Sequence, residues 1–125
     1  MTRSFSTRAI HEGEGGDKTT GAHNTPIYQT ATFAFERAED FAAAIEIAVD
    51  PDRMNPLDNF FYSRTSNPTN AALEKKLASL ESAEGALVTS SGMSAVAVSI
   101  MISAKSGDHV IVTDDLFVIS KQFFE

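Results

Sequence analysis

At 125 residues the chain is of single-domain size, long enough to bury one core and short for two. Its 42% hydrophobic and 22% charged residues are globular proportions that exclude disordered and low-complexity classes, and seventeen acidic against ten basic side chains, net −7, disfavour nucleic acid and anionic membranes as partners. Without cysteine there is no disulfide framework, thiolate nucleophile or cysteine-based metal site, and no stretch nears the ~18 apolar residues of a membrane span, so a cytoplasmic chain is expected.

In chain order, residues 4–24 are polar and glycine-rich with little periodicity, which predicts a mobile arm. Thr25 to Phe35 is β-branched and aromatic, and Pro26 keeps this extended run out of a central strand. Phe41, Ile45, Ala48 and Val49 recur at helical spacing over 37–49, closed by Pro51, and 50–59 reads as a loop. Asn67 and Pro68 form an N-cap with proline at the first helical position, followed by the stripe Leu73, Leu77, Leu80 and a stop at Gly85. An apolar run at 86–89, a Ser90-Ser91-Gly92 turn, a helix from Met93 to Ala104, a turn at 106–108 and a second run at 110–112 predict strand, helix, strand. Such a unit is parallel and right-handed, with its ligand site at the strands' C-terminal ends.

That end carries Ser90, Ser91, Gly92 and Met93 into a helix N-terminus, where unpaired N–H groups and the positive dipole end favour a phosphate; the plainer alternative is that a serine merely caps the helix. The spacing is neither the Walker nor the dinucleotide pattern. Tyr62 and Arg64 stand two apart in an extended loop, able to face one anion, or simply a surface arginine beside a half-buried tyrosine. Asp114 and Asp115 read as a polar turn or cap, and His11, His23 and His109 have no metal-ligand spacing, so no metal is expected.

The strings Thr25–Phe33, Phe61–Thr69 (Phe-Tyr-Ser-Arg-Thr-Ser-Asn-Pro-Thr), Ser90–Ala95 and Gly107–Phe117, in this order, resemble the Cys/Met metabolism family of pyridoxal-phosphate enzymes over nearly all of residues 8–117. The resemblance implies an α/β fold: an N-terminal arm, 1–60, with one helix, then at 61–125 the start of the mostly parallel-sheet large domain of a type I pyridoxal-phosphate transferase. It implies pyridoxal phosphate as cofactor, held at the phosphate by the amides of Gly92 and Met93 and, in a homodimer or homotetramer with shared active sites, by Tyr62 and Arg64 reaching in from the neighbouring subunit. Tyr62 is also the candidate catalytic acid. Phe117 stands where the family usually has a ring-stacking tyrosine; it keeps the π-face and loses the phenol.

The implied reaction is γ-replacement or γ-elimination on a small amino-acid substrate: a homoserine ester, cystathionine or methionine. The family's cofactor-binding lysine, its aspartate for the pyridine nitrogen and its arginine for the substrate carboxylate fall beyond Glu125, so this stretch is read as a fragment that does not turn over alone. Lys18, Lys75, Lys76, Lys105 and Lys121 match no cofactor-lysine motif and read as surface charges. The alternative is a truncated, non-catalytic fragment that only associates or binds an anion.

Overall fold

The computed structural model describes residues 3–50 and 59–124. Five helices occur among them: α1 (Phe5–His11), α2 (Ala38–Val49), α3 (Pro68–Glu81), α4 (Gly92–Ser103) and α5 (Val118–Phe124). The chain divides into two compact units, Met1–Leu87 and Val88–Glu125. Most of the predicted 50–59 loop lies outside the described residues.

In Met1–Leu87 the aperiodic arm contains a helix that the sequence pattern does not announce. Ser4 caps α1 by accepting from the Thr7 N–H at 3.3 Å, a local signal short of any apolar stripe. No α1 residue is buried; its anchor is Arg8, whose guanidinium donates to the Ser79 carbonyl in the last turn of α3, where orphan carbonyls and the negative dipole end attract a cation. The following loop presses on the middle of α3 at Gly13, whose φ is +77°. A Cβ at Gly13 would collide with the Ala72 carbonyl oxygen, so the close approach requires glycine.

Helix α3 begins as its sequence predicts: Asn67 accepts from the Thr69 N–H at 2.9 Å and Pro68 occupies the first turn. Its packed face is a correction. Leu73 and Leu77 are exposed, and the buried positions are Ala71, Glu74 and Ala78, because the arm meets the helix at Ala72 and Ser79 and the 25–33 segment meets it at Thr69, which leaves these two leucines uncovered. The helix also stops early, at Ser82 in the left-handed region (φ 56°) with Ala83 N–H returning to the Ala78 carbonyl, rather than at Gly85.

Residues 25–35 meet 60–63 through one antiparallel bridge, Thr32 with Tyr62, flanked by Phe33 N–H to Phe61 O (3.2 Å) and Ser63 N–H to Ala31 O (2.9 Å). Two aromatic series accompany it: Tyr28, Phe33 and Phe60, with centroids 6.4 and 6.1 Å apart, and Phe35, Phe41 and Phe61, 5.5 and 6.5 Å apart. Phe41 brings in α2, and Asn59 fastens that helix by donating to the Ala44 carbonyl at 2.9 Å.

In Val88–Glu125 the predicted helix forms as α4, and the turn before the second apolar run closes with Gly107 at φ 97° and Asp108 N–H bonded to the Lys105 carbonyl. The predicted strands do not appear: among the described residues neither 86–89 nor 110–112 joins a ladder. A strand exists only as a member of a hydrogen-bonded ladder, which apolar composition alone does not supply. Helix α5, which the pattern does not signal, closes the unit; its Lys121 pairs with Asp114 and its Ser120 hydroxyl lies 3.5 Å from the Met93 sulfur.

Candidate functional site

The chemistry-bearing residues fall into two groups, one in each unit. In the first, residues 62–66 form a tight turn in which the Tyr62 carbonyl accepts from Thr65 N–H (3.0 Å), Ser66 N–H (3.1 Å) and the Thr65 hydroxyl (2.7 Å). The turn folds Arg64 back so that its guanidinium carbon lies 5.1 Å from the centroid of the Tyr62 ring. Tyr62 is half-buried and Arg64 exposed, with no carboxylate paired to its guanidinium among the described residues. The expected extended loop is instead a turn, and in it phenol and guanidinium meet each other in a cation–π contact at the surface.

In the second group, Ser91 is the N-cap of α4. Its hydroxyl accepts from Ser94 N–H at 3.1 Å and its carbonyl from Ala95 N–H at 3.2 Å, and Thr89 Oγ1 donates to that same carbonyl at 2.8 Å. These bonds occupy the third and fourth amides of the helix. The first and second, Gly92 and Met93, have no hydrogen-bond partner among the described residues. Gly92 is exposed, with nothing within 4 Å of where a Cβ would stand. The plainer reading of the serine turn is thus what the geometry shows, Ser91 capping the helix, and the two amides beside it are the unpaired first donors of a helix N-terminus.

Phe117 directly precedes α5, gives its carbonyl to Lys121 N–H at 3.1 Å and is 70% exposed. Through Ser120 and Met93, α5 meets the start of α4 within this unit. Asp114 is taken by Lys121, and no group of three or more His, Asp or Glu that could hold a metal occurs among the described residues. No helix among them is long and apolar enough to cross a membrane.

The residue that sequence reasoning undervalued is Asn67. Beyond capping α3, its amide donates to the Tyr28 carbonyl and to the Ser63 hydroxyl, each at 3.0 Å, joining the Tyr62 turn to the 25–33 segment. Thr69 repeats the pattern, donating to the Pro26 carbonyl at 3.1 Å and accepting from Tyr28 N–H at 2.9 Å. The available signal was the choice of Asn over Ser or Asp at a cap, since only Asn adds N–H donors to the acceptor. Glu14 is a second such residue. It accepts from Thr25 N–H at 3.1 Å and pairs with Lys76 at 3.1 Å, and the backbone bond first, then the ammonium, hold its carboxyl below the usual range.

A family model for Cys/Met metabolism PLP-dependent enzymes matches residues 6–125. Among curated relatives, a probable cystathionine gamma-synthase of Herpetosiphon aurantiacus is 39% identical over the whole chain and 34% of its own length, and an L-methionine gamma-lyase of Pseudomonas deceptionensis is 39% identical over 90% of the chain and 26% of its own length. The crystal structure of metB from Corynebacterium glutamicum superposes on 99% of the chain and 28% of its own, with a TM-score of 0.79 and 33% identity. The chain thus spans about a quarter to a third of the relatives it matches.

Proposed function

Because the chain belongs to the Cys/Met metabolism PLP-dependent enzyme family, we propose that it contributes the phosphate-binding elements of a cytoplasmic enzyme performing γ-replacement or γ-elimination on homoserine esters, cystathionine or methionine. The observation that carries this reading is the pair of unpartnered amides at Gly92 and Met93 under an open glycine surface. A phosphate dianion fits there without displacing any existing bond, and the helix dipole favours it. When bound, pyridoxal phosphate supplies an electron sink for charge developed on the substrate's α-carbon.

The chain's own residues then divide the work of holding and positioning. Gly92 and Met93 donate to the phosphate; Arg64, working in the site of a neighbouring subunit of a homodimer or homotetramer, adds a planar fork of N–H donors. To bind, Arg64 exchanges its contact with the Tyr62 ring for the anion, and the phenolic hydroxyl, which that contact does not use, donates to the phosphate or to the departing group. The exposed Phe117 offers its ring for stacking on the pyridine. In the whole enzyme these elements belong to the large α/β domain begun at 61–125, with 86–89 and 110–112 as parallel strands and 1–60 as the arm between subunits.

The reading is tested by titrating the chain with pyridoxine phosphate, which keeps the phosphate and lacks the aldehyde that reacts with surface lysines. The Gly92 and Met93 amide resonances are expected to move with it and to ignore unphosphorylated pyridoxine. Equal response to both compounds, or none at these two amides, ends the reading.

A further inference from the structure

A surface guanidinium meets an anion productively only if the backbone carrying it is fixed, and the turn that carries Arg64 closes its own bonds on the Tyr62 carbonyl alone. We propose that Asn67 is the positioning residue for the Tyr62–Arg64 pair: its side-chain amide locks the turn that presents both groups. This deepens the phosphate reading above and rests on it for the purpose of the pair, though not for the geometry.

Asn67 is 8% exposed. Its oxygen accepts from Thr69 N–H at 2.9 Å, and its nitrogen donates to Tyr28 O and Ser63 Oγ, both at 3.0 Å. The orientation of the amide is fixed by its partners: Thr69 N–H demands an acceptor and the Tyr28 carbonyl a donor, so a flipped amide would break both contacts. Ser63 passes the constraint on, its hydroxyl donating to the Thr30 carbonyl and its N–H to the Ala31 carbonyl. One side chain thereby ties the start of α3, residues 28–31 and the residue lying between Tyr62 and Arg64.

Capping alone does not require this. Ser, Thr or Asp would accept from Thr69 equally well, and Asp would also suit the helix dipole. The two N–H bonds are the surplus that only Asn provides at this length, and both go to the segments that hold the turn rather than to the helix.

Asn67→Asp separates the two roles in the full 125-residue chain, because it keeps the cap and loses both donors. Ser63→Ala removes one partner without touching the cap. Hydrogen exchange is read at Ser63 for the turn and at Ala71, whose N–H bonds the Asn67 carbonyl, for α3. The Arg64 side-chain resonances report its place over the Tyr62 ring.

In Asn67→Asp, exchange at Ser63 is expected to rise about tenfold or more and the ring-current shift of Arg64 to collapse, while Ala71 stays protected. Ser63→Ala is expected to give the same pattern more weakly. Unchanged Ser63 exchange and Arg64 shift in both variants would overturn the proposal, as would Ala71 losing protection in step with Ser63, which makes Asn67 a helix cap only. Inorganic phosphate added to the unsubstituted chain reads the other question: an Arg64 resonance that does not respond removes its phosphate role, and the exchange comparison still decides what Asn67 does.

Discussion

In Met1–Leu87, side chains reach far along the sequence to meet backbone groups, Arg8 to Ser79, Thr69 to Pro26, Asn67 to Tyr28, whereas in Val88–Glu125 the hydrogen bonds run mostly between residues a few positions apart. Burial follows the same division. Ala44, Asn67, Ala71, Glu74 and Ala78 are buried in the first unit, and no described residue of the second is. Helix α4, Gly-Met-Ser-Ala-Val-Ala-Val-Ser-Ile-Met-Ile-Ser, is apolar on nearly every side, a composition suited to burial all round, yet Ile102 stands 81% exposed and Ile111 in the following run 98%. The first unit is specified by polar contacts among its own residues. The second is written for apolar neighbours that its own residues do not supply.

The contrast breaks most sharply at Gly13. Gly13→Ala forces a Cβ into the Ala72 carbonyl at a backbone φ of +77°, and backbone cannot swing aside as a flexible side chain would. Strain and overpacking together are expected to cost about 3 kcal/mol, read as lost exchange protection and a lower unfolding midpoint for α1 and α3. Wild-type stability in this variant would mean that the first unit does not depend on the close approach of its loop to α3.

A smaller effect is expected from acid. Glu14 has its carboxyl lowered first by the Thr25 N–H bond and then by Lys76, so the folded group titrates below the unfolded one. Its stabilising contribution is therefore complete above the ordinary carboxylate range and is lost as pH falls through the lowered folded value. The Thr25 amide should begin to exchange freely over that interval, and Glu14→Gln should flatten the dependence while leaving α4 unaffected. A Thr25 amide indifferent to pH would show that the Glu14 carboxylate does not secure the loop.

The sequence was legible where one residue type has one local consequence. Asn67-Pro68 starts α3, Ser91 starts α4, Gly107 makes its turn, and the Tyr62–Arg64 spacing puts the two groups together. It was illegible where distant partners decide. Nothing near Phe5 says that Arg8 will find Ser79, and the leucine stripe of α3 concealed that Ala71, Glu74 and Ala78 form the packed face. The two apolar runs read as strands because their composition is that of strands, but composition does not provide the partner whose hydrogen bonds make one. At the site, the open amides followed from helix geometry alone, while the role of Asn67 required knowing which segments lie beside it.

The smallest expected effect is the most discriminating. Ile111→Lys replaces a large apolar side chain with a charge, a change that in a packed strand would bury an unpaired ammonium and cost several kcal/mol. At 98% exposure the side chain has almost no contacts to lose, so the variant should unfold within about 0.5 kcal/mol of the parent. Its solubility should rise, because one apolar residue is removed from a surface that also carries Val110, Val112 and Phe117. Equilibrium denaturation beside a light-scattering series reads both quantities. A loss comparable to that of Gly13→Ala would place Ile111 in a packed environment and erase the difference between the two units. Unchanged stability with reduced aggregation would locate the demand for apolar partners at the 110–112 run itself, the segment whose composition asks for a sheet.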